Sequence, residues 1–262
     1  FVTQNGITGD FNAGTGVLTL TGSSTIANYQ AALRSIGFNN LSQAPTAGTR
    51  TLQIVVNDGT TASTLVTKSL GVTSLNDAPV LTPTATALAY LENAGPVIVD
   101  AGLAVVDVDS ANLTGATVSI SAGHSGSEDE LLFDTQNGIT GLYNGLSGQL
   151  SLTGTSSVEN YQTALRSIRY RNNSENPTVT SRTIRFVVGD GGNENNTSAE
   201  VTRVINLTAV NDAPLLATTS SGPLTYTAAT AATVIDPLIS VNDSELDNFT
   251  GGKVTISAGF VT

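Results

Sequence analysis

The sequence predicts an all-β fold: tandem Greek-key β-sandwich repeats with one short helix in each repeat. Three observations carry this. Val, Ile and Thr are abundant while charged residues make up only 12 % and aromatics 5 % of the chain, a mixture that suits short strands over long helices. Short segments alternate apolar and polar residues between turns rich in Gly and Asn, as in Val118-Ser-Ile120. The chain also repeats itself with a period of about 130 residues, the length of a whole domain.

The repeat can be read directly. FVTQNGITG at 1–9 returns as FDTQNGITG at 133–141, and GVLTLTGSSTIANYQAALRSI at 16–36 returns as GQLSLTGTSSVENYQTALRSI at 148–168. RTLQIVVNDG at 50–59 matches RTIRFVVGDG at 182–191, and the NDAP that ends at Pro79 matches the one that ends at Pro214. A third, partial copy aligns 88–100 with 224–236 and 117–123 with 253–259. The expected domains are therefore 1–78, the C-terminal part of one repeat; 79–213, a complete repeat; and 214–262, the N-terminal part of another. The two partial copies are complementary pieces of one unit, with Phe260-Val-Thr restating Phe1-Val-Thr. The chain has no Met and reads as a segment of something longer.

Within 79–213, strands are expected near 87–92, 104–106, 114–121, 130–135, 139–143, 149–153, 167–171, 182–188 and 199–210. Turn clusters such as Asn144-Gly145 and 189–192 separate them. A helix is expected over 157–165, with Ser157 as its cap and Val158, Tyr161 and Leu165 on one face; its twin lies at 25–33. Short strands at this spacing read as a Greek-key sandwich.

The net charge of −11 argues against nucleic acid, because nothing basic could offset phosphate. There is no Cys and a single His, which removes disulfides, thiolate zinc sites and most nucleophilic dyads. His124 sits among Gly and Ser and is replaced by Phe260 in the third copy, so it reads as a loop residue. Glu128-Asp129-Glu130 reads as a solvated face, not as facing acids for glycoside hydrolysis. Lys68 and Lys253 correspond to Arg203 and Thr117, so an isopeptide crosslink that recurs with the repeat is discounted. The recurring Tyr29/Tyr161 and Leu33/Leu165 read as packing for the helix, and Arg34/Arg166 as local pairing or capping. The chain is expected not to be an enzyme.

The NDAP linker, the LEN segment after it, the DVDS element and the QNGITG…LTG…YQ.ALRSI run resemble the cadherin-like tandem repeats of large bacterial surface and calcium-binding adhesin proteins. The resemblance covers nearly the whole chain. It implies a cadherin/Ig-like sandwich, an extracellular or cell-surface location and neighbouring repeats of the same protein as partners; no membrane insertion is expected in this segment, because it has no apolar run long enough to span a bilayer. It also implies calcium at the repeat junctions, held by carboxylate and carbonyl oxygens as a hard cation requires. Asp107-Val-Asp109 places two carboxylates on the same side of an extended segment, and Asp243-Ser-Glu245 is the equivalent in the third copy. Carried over, the junction before the complete repeat would use Asn76, Asp77, Asp107 and Asp109, with Asp58 and Glu92 as further candidates. The junction after it would use Asp190, Asn211, Asp212, Asp243 and Glu245. Glu92 becomes Ala228 in the third copy, so the following junction is expected to lose a ligand. The alternative is that these acids cap turns and that Pro79 and Pro214 stiffen the linkers unaided.

Three functions fit. A spacer or adhesive stalk leads. A self-assembling fibre subunit, in which the tail of one chain completes the head of the next, follows from the complementary partial copies. A carbohydrate-binding module is disfavoured by the lack of Trp and by only six Tyr.

Overall fold

The computed structural model describes residues 1–178, 181–218, 222–229, 231–246 and 248–259; Phe260-Val-Thr, which restates Phe1-Val-Thr, lies outside them. Two compact units are formed, Phe1–Ser74 and Leu75–Thr262.

Phe1–Ser74 contains β1 (Thr8–Asn12), β2 (Val17–Thr21), helix α1 (Ile26–Arg34), β3 (Gly48–Ile54) and β4 (Val66–Val72). β1 pairs with β2 and β3 with β4, each pair an antiparallel two-stranded sheet of its own. Its buried apolar residues are Ile7 and Ala32.

The second unit runs through β5 (Val80–Thr82), β6 (Leu88–Leu91), β7 (Val97–Ile98), β8 (Ala104–Val106), β9 (Asn112–Ala122), β10 (Asp129–Leu132), β11 (Thr140–Asn144) and β12 (Gln149–Ser157). It continues with α2 (Val158–Arg166), β13 (Arg169–Asn172), β14 (Arg182–Gly189), β15 (Val201–Thr208), β16 (Leu215–Ala217) and β17 (Ser240–Asn242). A six-stranded sheet in the order β11-β12-β9-β14-β15-β6 faces a three-stranded sheet β10-β13-β7, with β5-β8 as a further pair. The fold is an all-β sandwich. The alternation read from sequence is realised most clearly in β14, where Arg182, Ile184, Phe186 and Val188 are buried and the residues between them half-buried.

The repeated QNGI is a tight hairpin. Asn137 and Gly138 both have positive φ, 52° and 76°, and Gln136 bridges Ile139; Asn5 and Gly6 repeat this at 51° and 75°. These are the dihedrals of a type I′ turn, which Asn-Gly adopts at low cost. The Gly of the LTG motif is equally constrained. Gly154 has φ 128°, and a Cβ there would collide with the carbonyl of Gly138.

Helix α2 starts where its cap predicts: Ser157 Oγ accepts the Asn160 N–H at 3.1 Å. Tyr161, Ala164 and Leu165 face the core. The Tyr161 hydroxyl donates to the Gly154 carbonyl, so the ring is buried while its polar tip is satisfied. Arg166 does not cap locally. Its Nε reaches the carbonyl of Leu103 at 2.7 Å and ties the helix to a distant loop.

The acidic triplet departs from expectation. Asp129 is not on a solvated face but fully buried beside Arg182, whose Nε donates to it at 2.8 Å. Tyr170, Asn172 and the Ser125 N–H also donate to Asp129, at 2.6, 2.9 and 2.7 Å. Glu128 lies 3.4 Å from Arg182. Removing one member of such a buried pair typically costs about 3–5 kcal/mol, because its charged partner stays buried. Adjacency in sequence offered no hint of this partner, which arrives from β14. Tyr170 also meets Tyr90 edge-on, with ring centroids 5.0 Å apart.

Candidate metal centre

The acids singled out from sequence gather at two places in the second unit, one around the linker that precedes β5 and one around the linker that follows β15. Their local wiring is the same. Asp77 N–H donates to Asp109 Oδ2 at 3.2 Å, and Asp212 N–H donates to Glu245 Oε2 at 3.3 Å. Asp109 N–H donates to Asp107 Oδ1 at 3.1 Å, and Glu245 N–H to Asp243 Oδ1 at 3.1 Å. Asn76 and Asn211 each donate a side-chain N–H to the next residue's carbonyl, at 3.2 and 2.9 Å. The shared cause is strand pairing. β5 pairs with β8 and β16 with β17 in equivalent register, Leu81 opposite Val105 and Leu216 opposite Val241. Each pairing brings the D-x-D or D-x-E loop against the linker.

Two residues fall at the opposite end from the one expected. Glu92 belongs to the following linker, not the preceding one. β6 runs parallel to β15, Leu91 opposite Thr208, so both strands deliver their C-terminal ends to the same edge. There Glu92 N–H donates to the Thr208 carbonyl at 2.9 Å, and Val210 N–H donates to Glu92 Oε2 at 2.6 Å. The following linker therefore has its glutamate from the complete repeat, and the change to Ala228 does not remove it. Asp190 belongs to the preceding linker: its Oδ2 accepts from Asn76 at 2.8 Å and its Oδ1 from Gly192 N–H at 2.7 Å. Asn76 also donates to the carbonyls of Glu194 and Asn195, both at 3.1 Å, and fills the space where a Cβ on Gly192 would stand. Asn76 and Asp190 thus pin the linker to the 190–195 loop. Asp58, the counterpart of Asp190, accepts the N–H groups of Thr61 and Thr60 within its own turn, which hold its carboxyl below the ordinary range.

At the following linker, Glu92, Asp212 and Glu245 each offer an oxygen within 4.8 Å of the others. Glu92 Oε1, Asp212 Oδ2 and Glu245 Oε1 are buried and accept no hydrogen bond. At the preceding linker, Asp107 Oδ2 and Asp109 Oδ1 are likewise buried and unpartnered. Burial pushes the Asp107 carboxyl above its ordinary range, and the neighbouring Asp109 charge adds to this against the opposing N–H groups of Ser110 and Asp109. Carboxylate oxygens converging without donors are costly unless a cation joins them. An all-oxygen set of this kind suits a hard divalent ion. Sequence spacing showed the Asp107/Asp109 pair; the cross-strand partnership of Glu92 with Asp212 and Glu245 had no signal in it.

Two other features are structural. His124 packs against Gly148. Among the described residues, no helix is long and apolar enough to cross a membrane.

No family model matches the chain. A curated protein, halomucin of Haloquadratum walsbyi, is 32 % identical over 164 residues, which are 56 % of this chain and 2 % of halomucin. Among solved structures, cadherin repeats 1–3 of a mouse clustered protocadherin, gamma C3, are 14 % identical at a TM-score of 0.30, covering 80 % of this chain and 53 % of that one. Protocadherin gamma B2 cadherin domains 1–5 are 15 % identical at a TM-score of 0.26, covering 82 % and 32 %.

Proposed function

We propose that the chain is a spacer or adhesive-stalk segment of a large extracellular cadherin-like repeat protein, with calcium stiffening its repeat junctions. The observation that carries the reading is the set Glu92, Asp212 and Glu245: three carboxylates from the complete repeat, the linker and the next repeat, each with a buried, unpartnered oxygen. An ion held there would couple the two copies and reduce the freedom of the Asn211–Pro214 linker. Asp107, Asp109 and Asp77 would play the same part at the preceding linker. The tandem repeat, the acidic charge and the similarity to part of halomucin support an exposed, repetitive protein over an enzyme.

Thermal unfolding with millimolar calcium, against magnesium and chelator, tests this. Saturating calcium should raise the transition of the second unit by about 5–10 °C, and the paired change E92Q/E245Q should abolish the rise. An unchanged transition would demote these acids to turn and surface roles.

A further inference from the structure

The loop from Asn172 to Thr178, which leads out of β13, is anchored at both ends in the buried ion pair of the complete repeat. At its start Asn172 donates a side-chain N–H to Asp129 Oδ1 at 2.9 Å. At its end Thr178 donates its N–H and its hydroxyl to the Glu128 carboxylate at 3.4 and 3.3 Å, and its carbonyl accepts from Arg182 Nη1 at 3.0 Å. Between these anchors the loop bonds to itself. Ser174 N–H donates to Asn172 Oδ1 at 3.0 Å, and Asn176 N–H donates to Ser174 Oγ at 3.1 Å. Pro177 is buried while Asn176 is exposed, and a residue that precedes proline is biased toward extended backbone. Asn176 is thus fixed in place with its side chain free to reach outward.

That side chain reaches the next repeat. Asn176 Nδ2 donates to the main-chain carbonyl of Ser244 at 2.9 Å. Ser244 is the middle residue of Asp243-Ser-Glu245, the loop whose Glu245 converges with Glu92 and Asp212. An unbroken series of hydrogen bonds through Asp129, Asn172, Ser174 and Asn176 therefore runs from the core of one repeat to the candidate ligand loop of the next. The acceptor is backbone, so the contact depends on the donor at 176 and not on the side chain at 244.

The first copy shows that the loop forms without this donor. Ser42 N–H donates to Asn40 Oδ1 at 2.9 Å, Ala44 N–H to Ser42 Oγ at 3.2 Å, and Arg50 Nη2 to the Thr46 carbonyl at 2.6 Å, matching the bonds of Ser174, Asn176 and Arg182. Ala44 holds the Asn176 position, and a methyl group cannot donate. The same frame is built twice, once with an outward donor and once without.

We infer that Asn176 is a positioning residue of the junction: it latches the Asp243–Glu245 loop of the next repeat to the complete repeat without an ion, and so sets how tightly Glu92, Asp212 and Glu245 take one. A loop that is already held has less freedom to lose when a cation binds, so affinity rises. In a tandem array, Asn at this position makes a latched junction, and Ala leaves the linker and the ion to hold it alone. The consequence for the ion rests on the calcium reading above; the latch itself does not.

The test uses the full chain with N176A, which removes the donor, and N176Q, which keeps it one methylene further out. Amide exchange in chelator is followed at Asp212 and Glu245, which both donate to carboxylates of this loop. N176A should speed exchange at both by about three- to tenfold, the worth of one hydrogen bond, and leave β14 unchanged; N176Q should recover most of the protection. Calorimetric titration with calcium should show N176A binding about three- to tenfold more weakly than the parent. Unchanged exchange at both amides overturns the inference. So does exchange that quickens equally in β14, because the loss is then one of overall stability. Equal calcium affinity in the parent and N176A overturns the role at the ion site. A parent that takes no calcium, with exchange still faster in N176A, would sink the calcium reading and leave the latch standing.

Discussion

Residues 1–36 and 133–168 are close to the same sequence and fold into the same local structure, yet the second copy is more deeply buried than the first. The hydrogen bonds match pair by pair. Gln4 reaches Ser35 at 2.7 Å and Gln136 reaches Ser167 at 2.6 Å. Ser24 donates to Asn5 at 2.9 Å and Ser156 to Asn137 at 2.8 Å. Asn28 holds Ser24 and Asn160 holds Ser156, both at 2.9 Å. Yet Ile36 is 41 % exposed and Ile168 is fully buried. Local hydrogen bonding is therefore written into the segment itself, whereas the core is supplied from elsewhere in the unit by β9, β14 and the loops around Leu103 and Val99. A repeat copy can keep its hydrogen bonds where its apolar residues are less covered.

The sharpest way to break that comparison is to remove the same atoms from both copies. Ile168→Ala should cost about 2–5 kcal/mol of unfolding free energy in its unit, while Ile36→Ala should cost about 1 kcal/mol or less, read from urea unfolding at low chain concentration. Equal losses would show that Ile36 is as well covered as its twin.

A second difference lies at high pH. Tyr143 and Tyr170 correspond to Phe11 and Phe38, so the first copy has no phenol at either place. Burial, reinforced by the negative charges of Asp129 and Glu130, pushes the Tyr143 phenol up to about 12. Burial and the hydrogen bond to Asp129 push Tyr170 up strongly as well. The folded state keeps protons that the unfolded state releases near pH 10, so stability is full below about pH 10 and falls as pH rises toward about 12 and beyond. Stability of the second unit should decline between about pH 9 and 12, and Y143F/Y170F should flatten the decline. A decline of the same slope in that variant would assign it to other groups.

The smallest effect should also be the most equal. Thr25 and Ser157 cap α1 and α2 through contacts of 3.2 and 3.1 Å to the third residue's N–H. Their replacement by Ala should each speed amide exchange within its own helix to a similar extent, worth about 1 kcal/mol. A large effect at Ser157 alone would mean that the cap also serves tertiary packing.

The same division explains what could be read from residues alone. Type I′ turns, helix caps and the β14 alternation were legible because each depends on neighbours a few positions away. The ends at which Glu92 and Asp190 operate were not, because they follow from the parallel β6–β15 pairing and from the Asn76 contact, both spanning more than half the repeat. Asp129 was misread for the same reason: three adjacent acids suggest solvent until Arg182 arrives from another strand. The match between the Asp77–Asp109 and Asp212–Glu245 contacts could have been traced from the repeat.

The parallel pairing of β6 with β15 also decides how the complete repeat meets mechanical tension. Chain passes from the preceding linker through β5 into β6 and leaves β15 into the following linker, so tension that reaches β6 and β15 drags these two strands past each other in opposite directions. Their paired stretch, Leu88–Leu91 against Ile205–Thr208, is loaded in shear, with its hydrogen bonds sharing the force together. A hairpin such as β1–β2 pulled from its two open ends would yield one bond at a time. A stalk made of such units would resist stretching at the seam between β6 and β15.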